Sequence, residues 1–495
     1  MKFVIVLLFC LISACTKSEI PNAHTLSVAL SAAPATLDPR RATDATGQRI
    51  SSLMFSSLVR TGSDLRLTGD AAESWTYKDL VYTFKIRPGL KFANGRDLTE
   101  LDILYSFEVF RKPDSPFQST LAPVKSVAVE TVDGVMYVKL ALEKFHAPLL
   151  DDLSAIKLLP KAEIEKDEAA FTRAPFGTGS FTLNSQDSQQ IVLVARVGHT
   201  VAIPKIRNVV FKIIQDDSTR LLKTLKGAID IAQQELPLNV ISQVEKDGNF
   251  NIIRYPGLSM NYVLVNFKNA ELRKPALRRA MAHALNRQEI IQYKLNGLAR
   301  EATSLITPVH PMFIEELKAP AFDPEKAKTL FKEAGAPAAE LTLKTSNNPA
   351  AVENGRVIAH QLGQIGLKVK LQSYEWSTFY GDVKSGNFEL ALMRWVGTTD
   401  PDLYRLAFHS SEVPPGRNRG SYVNKALDKL LEEGPTIVDA MKRREHYRKI
   451  QTMVLEDLAV LPLWYDTQVA VIHKRVKDYD PPTNGDYTGL LKAWK

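Results

Sequence analysis

Apolar and β-branched residues fall in short runs along this chain, and the runs alternate between two spacings. Thr25–Leu30, Leu80–Ile86, Asn208–Ile214, Gly257–Phe267, Leu341–Thr345, Leu367–Gln372, Phe388–Trp395 and Gln468–His473 read as strands. Ser126–Leu142 reads as a hairpin, with alternating valines on either side of the turn-forming pair Asp133-Gly134. Other stretches show helical spacing. Thr99 caps a helix whose apolar positions are Leu101, Leu104, Tyr105 and Phe107. Asp216-Asp217-Ser218 caps a helix through Leu225, and a long amphipathic helix spans roughly Lys274–Tyr293. Pro324–Ala334, Ala350–Gln364 and Met441–Glu456 complete the helices. Helix and strand alternate after residue 257, which predicts an α/β domain with a mixed sheet.

The N-terminus changes the picture of where the protein works. Met1-Lys2 carries one positive charge, Phe3–Ile12 is unbroken apolar, and Ser13-Ala14-Cys15 follows. An apolar run of ten is too short for a bilayer core, which needs about 20 residues. The pattern predicts an export signal over residues 1–14. Ile12-Ser13-Ala14-Cys15 has the form of a lipobox, which predicts lipid on Cys15 and a polar tether over 15–24; the other reading is a secretory signal with a chance cysteine. The expected location is the periplasm or cell surface, at a membrane. Cys10 and Cys15 are the two cysteines, so the exported body has no disulfide.

Composition excludes more than it identifies. The chain has 495 residues and a net charge of +8. The densest basic run, Met441–Lys449, reads as a solvated helix face, and an export signal argues against nucleic acid as a partner. No nucleophile elbow occurs, no thiol remains after export, and the nine histidines lack metal spacing. His283 and His473 read as structural; His360 and His409 stand alone. Asp151-Asp152 reads as a cap or turn. Phe176-Gly177-Thr178-Gly179-Ser180-Phe181 lacks the spacing of a phosphate loop and reads as a structural turn. Neither an enzyme, a cofactor nor a metal site is expected.

One segment is more specific. It contains Glu73-Ser74-Trp75, the strand ending Phe84-Lys85-Ile86-Arg87, then Gly89, Phe92, Gly95, Leu98-Thr99 and Asp102. In this order the residues resemble the marker segment of the family 5 extracellular solute-binding proteins, the capture components of ABC importers for peptides and similar solutes. The resemblance extends over nearly all of the exported chain. It implies a two-lobed periplasmic-binding-protein fold of α/β class with mixed sheets. Lobe I would comprise 25–57, 172–256 and 466–495, with an inserted subdomain over 58–171. Lobe II would comprise 257–465. Two crossings, near Met260–Asn266 and Tyr465–Gln468, would form the hinge. The implied partners are a peptide or peptide-like solute and an ABC permease with its ATPases, and the implied state is a monomer.

The best candidate site is the segment Arg394-Trp395-Val396-Gly397-Thr398-Thr399-Asp400, at the end of a strand. Trp395 would wall an apolar side chain, Asp400 would pair with an α-amino group, and Arg394 would hold a carboxylate. Packing of Trp395 in a core, and a turn at Asp400-Pro401-Asp402, remain the alternative. Peptide-binding relatives place an Asp where Thr398 stands here, so either Asp400 substitutes or the solute lacks a free amino terminus. Asn261 and Tyr262 form a second candidate pair, for peptide main-chain groups. Arg417 and Arg419 read as solvated loop residues. A receptor for a metal chelate or sugar, a ligand sensor and an exported hydrolase stay open as rival functions.

Overall fold

The structure is a computed structural model and describes residues 24–62, 65–198, 203–335, 340–396 and 400–495. Its central sheet has eleven strands. Two long strands, Phe250–Val265 and Val460–His473, run antiparallel side by side through its middle. On one flank lie Leu390–Val396, Leu341–Ser346 and Val369–Tyr374. On the other flank lie Ile231–Gln233, Thr25–Leu30, Asn208–Ile213, Gln190–Ala195 and Phe181–Gln186. Parallel and antiparallel pairs both occur, so the sheet is mixed. Among the described residues no helix is long and apolar enough to cross a membrane.

The long strands are continuous, but their pairing is not. Pro256 pairs with Thr467 and Met260 with Tyr465, so Gly257, Leu258 and Ser259 all oppose Asp466. A second irregularity between Asn261 and Tyr262 leaves Leu463 unpaired on the other strand. Pro256 has no N–H to give to a ladder. At Gly257 a Cβ would lie 3.0 Å from the Gln468 side chain and 3.1 Å from Asp466 O, a tight fit that glycine relieves. Bulges of this kind bend a strand and interrupt its ladder. The strand expected to start at Gly257 extends back to Phe250, and its broken pairing at 256–260 lies just before the crossing expected at Met260–Asn266.

Separate apolar clusters pack the two ends of the sheet. One includes Leu26, Val28, Phe211 and Ile472 and continues into Tyr82, Phe84 and Val138 of the smaller sheet Ala72–Lys78, Val81–Ile86, Val135–Leu142 and Val124–Val132. Two more lie on opposite faces of the other end. Val263, Leu390 and Leu463 belong to one; Met260, Tyr262 and Ala391 belong to the other.

The marker segment proves to be a scaffold. Asp102 accepts hydrogen bonds from Arg96 Nη1 and Nη2 at 2.8 and 2.9 Å, from Thr99 N at 3.0 Å and from Lys161 N at 2.9 Å. Burial would raise its pKa, but these partners outweigh burial and lower it. This fork turns the Glu100–Arg111 helix so that Ile103, Phe107 and Phe110 face the core. Leu101 and Leu104, expected on the apolar face, are exposed instead. At Gly179 a Cβ would lie 2.4 Å from Leu53 O, so the glycine turn is structural, as its residues suggest. The helix expected over Lys274–Tyr293 is two, Pro275–Ala284 and Arg287–Tyr293, because Asn286 accepts from Glu289 N and caps the second.

Buried Asp230 ties the far end together. It accepts from Ser27 N at 2.7 Å and pairs with Arg475 at 2.6 Å and Lys495 at 3.0 Å. Burial opposes its charge, yet these partners hold its pKa below the ordinary value. Asp230→Ala leaves two cations uncompensated and is expected to cost about 3–5 kcal/mol. Urea unfolding at neutral pH measures this, and a loss under about 1 kcal/mol would refute the role.

Candidate functional site

The sheet separates residues that are adjacent in sequence. Asn261 pairs with Arg394 across the strands, and Met260 with Trp395. Successive side chains point to opposite faces. Trp395 and Tyr262 therefore pack on one face, where Tyr262 is 5% exposed and belongs to the core. Burial pushes the Tyr262 hydroxyl well above its ordinary pKa. Arg394 and Asn261 lie on the other face and meet at Asp466. Arg394 Nε lies 2.8 Å from Asp466 Oδ2, Asn261 Nδ2 donates to Oδ1 at 2.8 Å, and Arg394 Nη2 donates to Ser259 Oγ at 3.1 Å. Each candidate group is thus divided between the two faces, Arg394 from Trp395 and Asn261 from Tyr262. One half is core packing; the other clamps the bulged residues of the hinge. Thr398 lies outside the described residues.

Asp400 is already engaged. Arg443 Nη1 and Nη2 donate to its two oxygens at 2.9 and 2.8 Å, and both side chains are buried. Asp402 N adds a third hydrogen bond at 2.7 Å. Such a two-pronged pair matches the carboxylate charge in place, so the Asp400 expected to meet an α-amino group is here paired with Arg443. Within the basic run Arg443 is buried, whereas Lys442 and Lys449 are exposed, as the solvated-face reading expects. Arg444 donates to Phe313 O, His446 bonds Leu430 O and Arg448 pairs with Glu316. Arg419 donates to Gly416 O and stacks over Tyr380, so it too is a loop scaffold.

Around the Asp400–Arg443 pair the two lobes touch. Ala147 N of the N-terminal lobe donates to Pro435 O of the other at 2.8 Å. The next helical turn, Leu149–Asp152, is anchored by Leu149 in the N-terminal core. Asp151 and Asp152 lie in this turn, as the sequence allows, and neither side chain makes a capping hydrogen bond. They face Asp400, Asp402 and Arg443 across the boundary. Burial, then repulsion from Asp400, raises Asp151 to about 8 and Asp152 to about 7. Burial also raises Asp402 to about 6, against its pairing with Arg405. His146, also at this contact, is lowered to about 4 by burial and by Arg405.

A cavity of about 210 Å³ occupies the N-terminal side, lined by Arg49, Arg60, Lys157, Asp70 and Asp486 among others. Sequence reasoning missed these residues and Asp151-Asp152. The available signal was a charge set in an apolar run: Arg60 after Leu58-Val59, and Lys157 within Ala155-Ile156-Lys157-Leu158-Leu159. Among the described residues no group of three or more His, Cys, Asp or Glu is placed to hold a metal. His283 bonds Ala321 O, His360 lies beside Gln364, and His409 beside Ser411 and Glu432.

Residues 66–414 match the model of the bacterial extracellular solute-binding proteins, family 5 middle region. The chain belongs to this family of binding proteins, which are not enzymes. Its sequence is 27% identical to the oligopeptide-binding protein AppA of Bacillus subtilis (strain 168), over 100% of this chain and 98% of that one. It is 26% identical to the dipeptide-binding protein of Escherichia coli (strain K12), over 94% of each. Among solved structures it resembles AppA in complex with a nonapeptide, with a TM-score of 0.79 and 26% identity over 95% of this chain and 98% of that one. It also resembles the ABC transporter substrate-binding protein CtaP of Listeria monocytogenes, with a TM-score of 0.86 and 26% identity over 95% and 99%. The two-lobed solute-binding fold expected from the marker segment is therefore present.

Asp151 and Asp152 have a consequence for pH. Parting the lobes returns both carboxyls to water and towards the ordinary 3.8. The contact favours their protonated forms, so its contribution is full below 3.8 and is lost as pH rises through about 7 and about 8. His146 acts oppositely, but only below its ordinary 6.5. Between 6.5 and about 8 the carboxyls alone decide, and rising pH should open the lobes. Small-angle X-ray scattering should show the radius of gyration growing across this window, and the Asp151→Asn/Asp152→Asn double variant should abolish the trend. A double variant with the same trend would refute the assignment.

Proposed function

We propose that this family 5 protein captures peptides or peptide-like solutes outside the cytoplasm and delivers them to an ABC permease driven by its ATPases. Segments 25–57, 172–256 and 466–495 act as one lobe, with 58–171 as its inserted subdomain, and 257–465 acts as the other. The lobes close by bending at 256–260 and 465–467, around a solute held between them. The observation that carries the reading is the bulged pair of strands joining two separately packed ends, in a chain similar over its whole length to peptide receptors. Burial between lobes supplies affinity, and main-chain hydrogen bonds allow varied side chains. The protein acts as a monomer held at the membrane by lipid on Cys15, which lies outside the described residues.

Thermal unfolding against a panel of peptides, blocked peptides, nickel chelates and sugars tests capture. A solute at a hundred times its dissociation constant should add about 2.7 kcal/mol. Free and blocked peptides should both stabilise the protein, because Asp400 has no unmatched charge for an amino terminus. Stabilisation by sugars or chelates and by no peptide would overturn the reading. Anchoring has its own test: Cys15→Ala should move the protein from the membrane to the soluble fraction and end incorporation of labelled palmitate. An unchanged fractionation would refute the lipid anchor.

A further inference from the structure

The cavity in the N-terminal lobe has an unusual balance of donors and acceptors. Arg49 comes from the Ala45–Met54 helix, Arg60 from the Val59–Thr61 strand, and Lys157 from the segment after the Leu153–Ala155 turn. Among the described residues neither guanidinium has an ion pair or a hydrogen-bond partner. Lys157 Nζ donates once, to Ser154 O at 2.7 Å. The two carboxylates in the wall are occupied. Asp70 accepts from Ser57 N at 2.9 Å; Asp486 accepts from Thr488 N, Thr488 Oγ1 and Asn484 Nδ2 at 2.9, 2.6 and 3.0 Å. Three cations thus face two carboxylates in the wall, and neither carboxylate is paired with a guanidinium. Each guanidinium offers five N–H groups in a fork that matches a carboxylate or phosphate.

Size and place narrow the occupant. A cavity of about 210 Å³ has room for a side chain or head group. On one side the cavity borders the hinge. A Cβ at Gly485 would sit 2.7 Å from Arg49 Nη2 and 2.8 Å from Gln234 Nε2. Gln234 in turn donates to Gln468 Oε1 at 2.7 Å and to the Tyr255 hydroxyl at 3.1 Å, both on the long strands. On the other side Ser154 and Lys157 follow directly after Asp151-Asp152, at the contact between lobes. Hinge and contact are the two limits of the space a solute occupies.

We propose that this cavity is a subsite for an anionic group of the solute, so that Arg49, Arg60 and Lys157 make the protein selective for acidic peptides. The inference rests on the solute-capture reading and specifies the class of solute. A bound carboxylate takes the free guanidinium donors and opposes the lowering of the Lys157 pKa by burial. A phosphate offers the same chemistry.

Calorimetric titration of the full chain in detergent distinguishes the outcomes. The probes are the tripeptides Ala-Glu-Ala and Ala-Gln-Ala, glutarate and inorganic phosphate. Ala-Glu-Ala should bind about ten- to a hundredfold more tightly than Ala-Gln-Ala, the range of a charge-assisted contact. Arg49→Gln and Arg60→Gln should each erase most of that ratio, weakening Ala-Glu-Ala far more than Ala-Gln-Ala. Arg49→Lys, which keeps the charge, should retain part of it. Circular dichroism checks that each variant folds, and a variant that does not fold is replaced by Lys157→Met. Equal binding of the two peptides, unaltered by the variants, overturns the anionic subsite and leaves peptide capture intact. Binding of glutarate or phosphate, lost in Arg49→Gln, with no peptide bound, supports the subsite and overturns peptide capture. No binding by any probe overturns both.

Discussion

The antiparallel pairing of Phe250–Val265 with Val460–His473 is the constraint on which the rest of the molecule depends. Each strand belongs to both lobes, so the two lobes share one hydrogen-bonded ladder rather than a loose linker. A continuous ladder would make a stiff plate. The three-against-one bulge at Gly257–Ser259 opposite Asp466 removes pairing at the boundary and localises the bend there. The bulge also turns Asp466 towards Asn261 and Arg394, which gather its carboxylate from the same face of the sheet. The proposed hinge rests on where this ladder breaks.

The buried charges then divide into two kinds. Asp102 with Arg96, Asp230 with Arg475 and Lys495, and Asp400 with Arg443 are matched within one lobe and hydrogen-bonded through both oxygens or several donors. Removing one partner leaves an uncompensated charge, so these pairs fix the shape of each lobe. Asp151 and Asp152, whose carboxyls burial holds towards the protonated form, and the guanidiniums of Arg49 and Arg60 are the other kind: ionisable groups without ion-pair partners among the described residues. Both sets sit at the edge of the space between lobes. A binding protein needs such groups there, since a matched charge has nothing further to offer a solute or an opposing lobe.

Much of the fold was legible in the sequence because its signals are local. Thr25–Leu30 and Pro324–Ala334 end where turn and cap residues place them, and Asp216 caps its helix through Thr219 N. The errors arose where a distant partner overrides a local pattern. The Arg96 fork and the backbone of Lys161 draw Asp102 inward, which rotates a helix that apolar spacing alone places differently. The Gln361 side chain accepts from Asn286 N at the break in a helix that reads as one. The long strand was cut short at Gly257 because Pro256-Gly257 reads as an end, whereas the sheet uses it as a bulge.

The site was less legible than the fold for a geometric reason. Arg394 and Trp395 are neighbours in sequence, and a contiguous segment at the end of a strand invites reading as one site. A strand sends neighbours to opposite faces, so adjacency in a strand argues against a shared site. The residues that do converge stand far apart in sequence: Arg49, Arg60 and Lys157 in one wall, Asp151 and Asp400 across the boundary. Each comes from a different element, and the approach of those elements is set by the core beneath them. Asp400 shows the converse error. Its residue type fits an ammonium anchor, but Arg443, on another helix, takes both oxygens. Residue type limits which chemistry a position can perform; the partners supplied by the fold decide whether that capacity is still free.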